Sequence, residues 1–251
     1  MADQRPIGVF DSGVGGIGTL AEMMRVLPRE QFLFYGDTAN APYGTKSRED
    51  CMGCIQRVMD HLLAADVKAI VIACNTATAV AAAELRARYD LPIIGIEPAL
   101  KPASEVRHGG SILVLATPMT LKLEKFQTLY AKYGEGAIPL PCPGLMELVE
   151  REAHDEARAY LTQLFAPYDM DKVDAVVLGC THYVFLRPIL TDMLSPNVQV
   201  LDGNAGTARQ LRRVLEERGL LSDGEGGVVL ETSGNADVVL PVMKRLLGIA
   251  K

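Results

Sequence analysis

Apolar residues in this chain come in short unbroken runs, separated by longer stretches with helical spacing. Residues 7–10, 32–35, 69–73 and 93–96 are such runs in the first hundred positions. Residues 112–115, 175–178 and 198–201 are their counterparts further on. A run this short and this apolar suits a strand buried on both faces of a parallel sheet. The intervening pattern predicts helices over 19–26, 47–65, 76–89, 121–132, 145–165, 207–217 and 238–247, with a further strand at 228–232. Ser47 followed by Asp50 reads as a capped helix start. Residues 39–44 read as a loop, 139–144 as a Pro-rich connector and 224–227 as a flexible turn. Strands alternating with helices predict the α/β class, with mainly parallel sheets covered by helices.

Two of the apolar runs stop at a cysteine. One is Ala69-Ile70-Val71-Ile72-Ala73-Cys74-Asn75-Thr76, the other Ala175-Val176-Val177-Leu178-Gly179-Cys180-Thr181-His182. Their offset is 180 − 74 = 106 residues, and residues 7–13 line up with 112–118 at an offset of 105. The runs at 93–94 and 198–200 keep a similar spacing, as do 32–34 and 138–140. The pattern reads as an internal duplication of domain size. It predicts two pseudo-symmetric α/β domains, 1–97 plus 207–251 carrying Cys74, and 98–206 carrying Cys180. Open α/β sheets bind ligands at the carboxyl ends of their strands. Both cysteines fall there, so the expected active site is a cleft with a thiol on each side.

Gly13-Val14-Gly15-Gly16-Ile17-Gly18 competes with this reading. It fits the dinucleotide-binding pattern, follows a strand and precedes a helix, and Asp37 lies 37 − 18 = 19 residues beyond it. Asp11, however, ends the strand just before the glycines, where its carboxylate would repel a pyrophosphate. A dinucleotide also leaves both cysteine strands unexplained. The glycines can instead permit a tight turn, or present backbone N–H groups to a substrate carboxylate.

Composition narrows the function further. The 251 residues are 49% hydrophobic and 22% charged, as in ordinary globular proteins, with a net charge of 25 − 31 = −6. That balance provides no electrostatic footprint for nucleic acid or an anionic membrane. No apolar run is long enough to span a bilayer, and residues 1–6 lead into the first strand without a cleavable leader. The cytoplasm is the expected location. Five cysteines are an odd count without a disulfide framework, so reduced thiols are expected. Cys51-Met52-Gly53-Cys54 has metal-ligand spacing but sits in a helical pattern without a second pair, so no metal is expected. Cys51, Cys54 and Cys142 read as packing residues.

Opposed thiols suit proton transfer at a carbon centre. One removes a proton from one face, the other supplies a proton to the opposite face, and the configuration inverts. Each must cycle between base and acid, which favours a pKa near the working pH. A thiol starts near about 8.5 and can be lowered by its surroundings. His182 is placed to exchange a proton with Cys180, and Asp11 to do so with Cys74 if the fold joins their strand ends.

Asp11-Ser12-Gly13-Val14-Gly15-Gly16, Gly36-Asp37-Thr38-Ala39-Asn40-Ala41-Pro42-Tyr43-Gly44, Ala73-Cys74-Asn75-Thr76-Ala77-Thr78-Ala79 and Gly179-Cys180-Thr181-His182-Tyr183 occur here in that order. Together they make residues 7–206 similar to the bacterial glutamate racemases of the aspartate/glutamate racemase family. The resemblance implies cofactor-independent interconversion of L- and D-glutamate, with the D-enantiomer going into peptidoglycan. It implies that Cys74 handles the proton of D-glutamate and Cys180 that of L-glutamate. Asp11 and His182 tune them, and Glu150 assists. Ser12, Pro42, Tyr43, Gly44, Asn75, Thr76, Thr117, Thr120 and Thr181 match positions that bind the substrate's ammonium and carboxylates. A small-molecule substrate and a homodimer are expected, and no nucleic-acid or membrane partner.

The chain departs from the family at Tyr183-Val184-Phe185-Leu186, where Tyr-Pro-Leu-Leu is common, and at Gly15-Gly16-Ile17-Gly18, where a larger residue often follows the glycines. Its lead into the first strand is short, so the activator-binding extension of some members is not expected. Aspartate racemases share the two-cysteine layout but tend to carry Glu where this chain has His182, which favours glutamate. A non-catalytic binding protein would not need both thiols together with Asp11 and His182.

Overall fold

A computed structural model describes residues 2–249. The chain forms two compact units, Met1–Ile96 with Asn204–Lys251, and Glu97–Gly203.

The first unit begins with β1 (Ile7–Asp11), α1 (Ile17–Val26), β2 (Gln31–Gly36), α2 (Arg48–Ala64), β3 (Ala69–Ile72), α3 (Asn75–Arg88) and β4 (Ile93–Gly95). The second contains α4 (Leu100–Glu105), β5 (Ser111–Ala116), α5 (Pro118–Lys122), α6 (Glu124–Tyr133), β6 (Ala137–Pro141), α7 (Leu145–Glu150), α8 (His154–Phe165), β7 (Val173–Leu178), α9 (Arg187–Met193) and β8 (Gln199–Asp202). α10 (Asn204–Arg218), β9 (Gly227–Thr232) and α11 (Ala236–Leu247) then complete the first unit.

Both sheets are parallel, with strand orders β4-β3-β1-β2-β9 and β6-β5-β7-β8. Read from the other edge, the second is β8-β7-β5-β6, which repeats β4-β3-β1-β2 strand for strand. The duplication seen in the sequence is therefore a duplication of topology, with β9 added at one edge. Helices cover the sheets because every residue of β1 and β3 is buried, so neither face is left to water.

Side-chain alternation divides each unit's core into layers. In the second sheet Leu113, Leu115, Val176 and Leu178 pack with α7, α8 and α9. Ile112, Val114, Ala175 and Val177 point the other way, toward α4 and α6. In the first unit Ile7, Val9, Phe32, Phe34 and Val71 pack with Ile17, Leu20, Met23, Leu211, Leu215 and Met243. Each of the Val, Leu, Ile, Phe and Met side chains among these contributes about 1.5–3 kcal/mol when fully buried.

Several expected elements differ. Residues 145–165 form two helices rather than one, because Glu152 takes a left-handed φ of 54° and the chain reverses through Ala153 N–H to Leu148 O at 2.9 Å. Residues 121–132 are interrupted at Leu123, whose extended backbone ends α5 and begins α6. The Pro-rich segment is a strand for its first part. β6 pairs with β5 through Pro139 and Pro141, which lack an N–H and are tolerated because β6 is an edge strand. The hydrophobic pattern does not predict helices α4 and α9. Ser47 does cap α2, accepting from Asp50 N–H at 3.0 Å.

Candidate active site

In each unit the strand order reverses beside its first strand, between β1 and β3 and between β5 and β7. The carboxyl ends there are the usual ligand position of an open parallel sheet. Cys74 follows β3 and Cys180 follows β7. Their backbones match, with φ −139° and ψ 120° at Cys74 and φ −136° and ψ 139° at Cys180. Both side chains are buried.

In the first unit three adjacent strand ends line up. Ala73 N–H donates to Phe10 O at 2.8 Å, and Asp37 N–H donates to Asp11 O at 2.9 Å. Cys74, Asp11 and Asp37 therefore stand in a row. Asp11 is fully buried and accepts from Gly13 N–H at 2.7 Å through Oδ1. Gly16 must lack a side chain, since a Cβ there would come within 2.8 Å of Asp11 Cβ and 3.1 Å of Ala73 O. The glycine-rich turn thus lets α1 begin directly against the strand ends.

Cys74 is the N-cap of α3. Its Sγ accepts from Ala77 N–H at 3.4 Å and donates to Ser12 Oγ at 3.6 Å. Asn75 and Thr76 form the first turn of α3 and are buried. Asn75 Oδ1 has no hydrogen-bond partner although the residue is only 5% exposed.

Asp37, a member of the competing dinucleotide pattern, has another use here. Its Oδ2 accepts from Tyr43 Oη at 2.6 Å and its Oδ1 from Asn40 Nδ2 at 2.8 Å. These two bonds hold the segment containing Pro42, Tyr43 and Gly44, in which the Ala41–Pro42 peptide is cis. Burial, then the bond to Asp37, keeps the Tyr43 hydroxyl protonated far above the usual phenol range, and Cys74 lies near enough to add to that shift. Tyr43 is therefore a permanent donor. The sequence pattern alone does not assign Asp37 or Asn40 to this site. Asp37 directly follows a strand, like Asp11, and that position was the available signal.

In the second unit Thr117 follows β5 and caps α5, accepting from Thr120 N–H at 3.2 Å, with the two hydroxyls 2.9 Å apart. Cys180 precedes a 3-10 turn, Thr181–Leu186, and its side chain makes no capping bond to that turn. Instead Cys180 Sγ is 3.9 Å from His182 Nδ1, and His182 Nε2 is 3.0 Å from Glu150 Oε1. Glu150 ends α7, so the break after that helix places the carboxylate on the ring. Thr181 and His182 are buried. Tyr183 Oη donates to Cys142 O at 3.1 Å, tying the turn after Cys180 to the end of β6.

The structure therefore groups Asp11, Ser12, Asn75, Thr76 and Tyr43 with Cys74 in one unit. It groups His182, Glu150 and Thr181 with Cys180 in the other, where Thr117 and Thr120 occupy the neighbouring strand end. Burial pushes Cys51 and Cys142 up to about 12, so they remain protonated and inert at neutral pH. Among the described residues no cluster of three or more His, Cys, Asp or Glu could hold a metal ion. No helix among them is long and apolar enough to cross a membrane.

Residues 17–211 match the family model described as Asp/Glu/Hydantoin racemase. A glutamate racemase of Clostridium botulinum is 48% identical over 225 residues, covering 88% of each chain. Among solved structures, a Bacillus anthracis glutamate racemase isoform has a TM-score of 0.88 and 30% identity, covering 98% of this chain and 95% of its own. The Thermus thermophilus glutamate racemase, solved with β-chloro-D-alanine, has a TM-score of 0.85 and 34% identity, covering 100% and 96%.

Proposed function

The chain belongs to the Asp/Glu/Hydantoin racemase family, and we propose that it interconverts L- and D-glutamate by two-thiol proton transfer without a cofactor. The observation that carries this reading is the matched placement of Cys74 and Cys180 at equivalent strand ends of two units with one topology.

In the L-to-D direction Cys180 acts as the thiolate. It takes the α-proton, and the bond's electron pair stays on Cα. The Cys74 thiol then gives its proton to the opposite face and is left as the thiolate. Cys180 ends protonated and Cys74 ionised, the state required for the reverse reaction. His182 serves Cys180. Glu150 accepts from Nε2–H, which leaves the Nδ1 lone pair directed at the Cys180 thiol. The imidazole can then take the thiol proton and return it. Asp11 plays the corresponding part for Cys74.

Substrate charges are met by neutral groups, which bind without introducing a competing base. The unpartnered Oδ1 of Asn75 supplies an acceptor for the ammonium group. The hydroxyls of Ser12, Thr76, Thr117, Thr120 and Thr181, with the backbone N–H groups of Tyr43 and Gly44 in the segment that Pro42 begins, serve the ammonium and the carboxylates. In the same reading the enzyme works in the cytoplasm as a homodimer and supplies D-glutamate for peptidoglycan.

Circular dichroism of L-glutamate incubated with dialysed protein tests the reading. The signal should decay to zero, from D-glutamate as well, and survive chelator and carbonyl reagents. A preference for L-aspartate would transfer the reading to the aspartate enzymes. No decay with either amino acid would overturn it.

A further inference from the structure

The two thiols share a backbone conformation and a place in the fold, but their sulfur atoms meet different groups. Cys180 has an imidazole 3.9 Å away and makes no capping bond. Cys74 has the opposite arrangement, a capping bond from a backbone amide. We infer that the Ala77 N–H, at the start of α3, is the positioning group that holds the Cys74 sulfur and favours its thiolate. This inference rests on the catalytic role proposed above for Cys74, and its test does not use turnover.

The geometry is that of a helix N-cap in which sulfur replaces the usual oxygen. Cys74 is extended, α3 starts at Asn75, and the third amide of the helix, Ala77 N–H, points at Sγ from 3.4 Å. That amide is one of the four N–H groups a helix cannot satisfy internally. The helix beyond it runs for 14 residues to Arg88, with no acidic residue in its first turn. Its positive end therefore acts on the sulfur rather than on a competing carboxylate. A cap bond to an anion is charge-assisted and stronger than one to a thiol. Ionising Cys74 strengthens the contact, and a helix N-terminus lowers a cysteine pKa.

Asp11, Tyr43 and Ser12 bring no positive charge to the sulfur. Asp11, at the adjacent strand end, is acidic and opposes a second anion. Tyr43 stays protonated and neutral. Ser12 accepts from the thiol, and its hydroxyl can turn to donate once the sulfur is ionised. On this account the fold equips its two bases differently: beside its proposed carboxylate partner Asp11, Cys74 has a fixed dipole that does not change with pH, and Cys180 has no such capping bond.

The test is to replace Ala77 in the full chain with L-lactate, converting the amide before it into an ester and deleting one hydrogen. Alkylation by iodoacetamide is followed at Cys74 and Cys180 in the same molecules across pH by mass spectrometry. The apparent pKa of Cys74 should rise by about one unit while that of Cys180 stays put. The ester analogue at Thr78 deletes the N–H that donates to Cys74 O at 2.9 Å, weakening the same helix without touching the sulfur. It should leave Cys74 unchanged. An unmoved Cys74 in the residue-77 ester, equal shifts at both thiols, or the same shift from the residue-78 ester would overturn the inference.

Thermal unfolding gives a second measurement that needs no ester. Cys74→Ala deletes the cap and should lower Tm by about 2–4 °C, whereas Cys74→Ser keeps a cap atom and should hold Tm. Cys180→Ala and Cys180→Ser should not differ from each other. Equal behaviour of the Ala and Ser variants at position 74 would count against the capping bond.

Discussion

Glu150 Oε1 lies 3.0 Å from His182 Nε2, and this contact decides which ring nitrogen faces Cys180. Glu150→Gln keeps an acceptor but removes the charge that favours an imidazolium. His182→Asn removes the proton carrier altogether. Loss of a general acid–base contact costs on the order of 10²–10⁴ in rate. His182→Asn should fall in that range, and Glu150→Gln should lose less. The ratio of kcat/KM in the two directions cannot change, because the enantiomers have equal energies. Primary isotope effects with α-deuterated L- and D-glutamate can change, and His182→Asn should enlarge the effect for the L-enantiomer more. Asp11→Asn should bias the other way. Equal changes in both directions would mean that these residues shape the pocket only.

Cys74→Ser and Cys180→Ser should each reduce racemisation by orders of magnitude, because a hydroxyl is a far weaker acid than a thiol. Each variant retains one thiol. It should therefore still eliminate HCl from one enantiomer of a β-chloro substrate analogue, and the enantiomer consumed should switch between the variants. If both consume the same enantiomer, the two thiols do not divide the work as proposed.

Tyr43→Phe tests the Asp37 anchor of the segment holding Pro42 and Gly44. It strips one donor from a buried carboxylate, a loss of about 1–3 kcal/mol. The anchor holds binding groups and not the proton-transfer pair. KM should rise about tenfold or more while kcat stays within a few-fold. A fall in kcat with KM unchanged would instead give Tyr43 a part in the chemical step.

Alkaline pH should destabilise the fold through buried groups that take no part in the proposed proton transfer. Cys51 and Cys142 are held up to about 12 from an ordinary value of 9.0, chiefly by burial, and Tyr160 up to about 12 from 10.0. Below pH 9 these groups are protonated in both folded and unfolded chains and add no pH dependence. Between about 9 and 12 they ionise in the unfolded chain but not in the folded one, so stability falls as pH rises. Tm should be level approaching pH 9 and then decline. A level Tm up to pH 11 would contradict the burial shifts.

Much of this molecule was legible in the sequence because its central strands are buried on both faces. Residues 69–73 and 175–178 have no polar position to obscure them, and their repeat at 106 residues announced the duplicated topology. Sequence pattern could not show the break at Glu152, a non-glycine residue with positive φ inside a continuous helical pattern. Nor could it separate β6 from a connector, because prolines at an edge strand look like prolines in a loop. Pairing at the site was equally hidden. Asp37 matched a dinucleotide motif by spacing, whereas its partners Tyr43 and Asn40 follow from a local chain reversal. The Ala77 N–H leaves no trace in a side-chain alphabet.

The central claim is that two separate thiols act on one carbon, and proton exchange during a single turnover tests it most directly. L-glutamate is incubated with the enzyme in D₂O, and both enantiomers are analysed early, before the reverse reaction contributes. Two thiols predict D-glutamate fully deuterated at Cα while the remaining L-glutamate keeps its proton. Deuterium accumulating in the recovered L-glutamate at a rate comparable to product formation would mean that one base both removes and returns the proton, and the two-thiol account would be wrong.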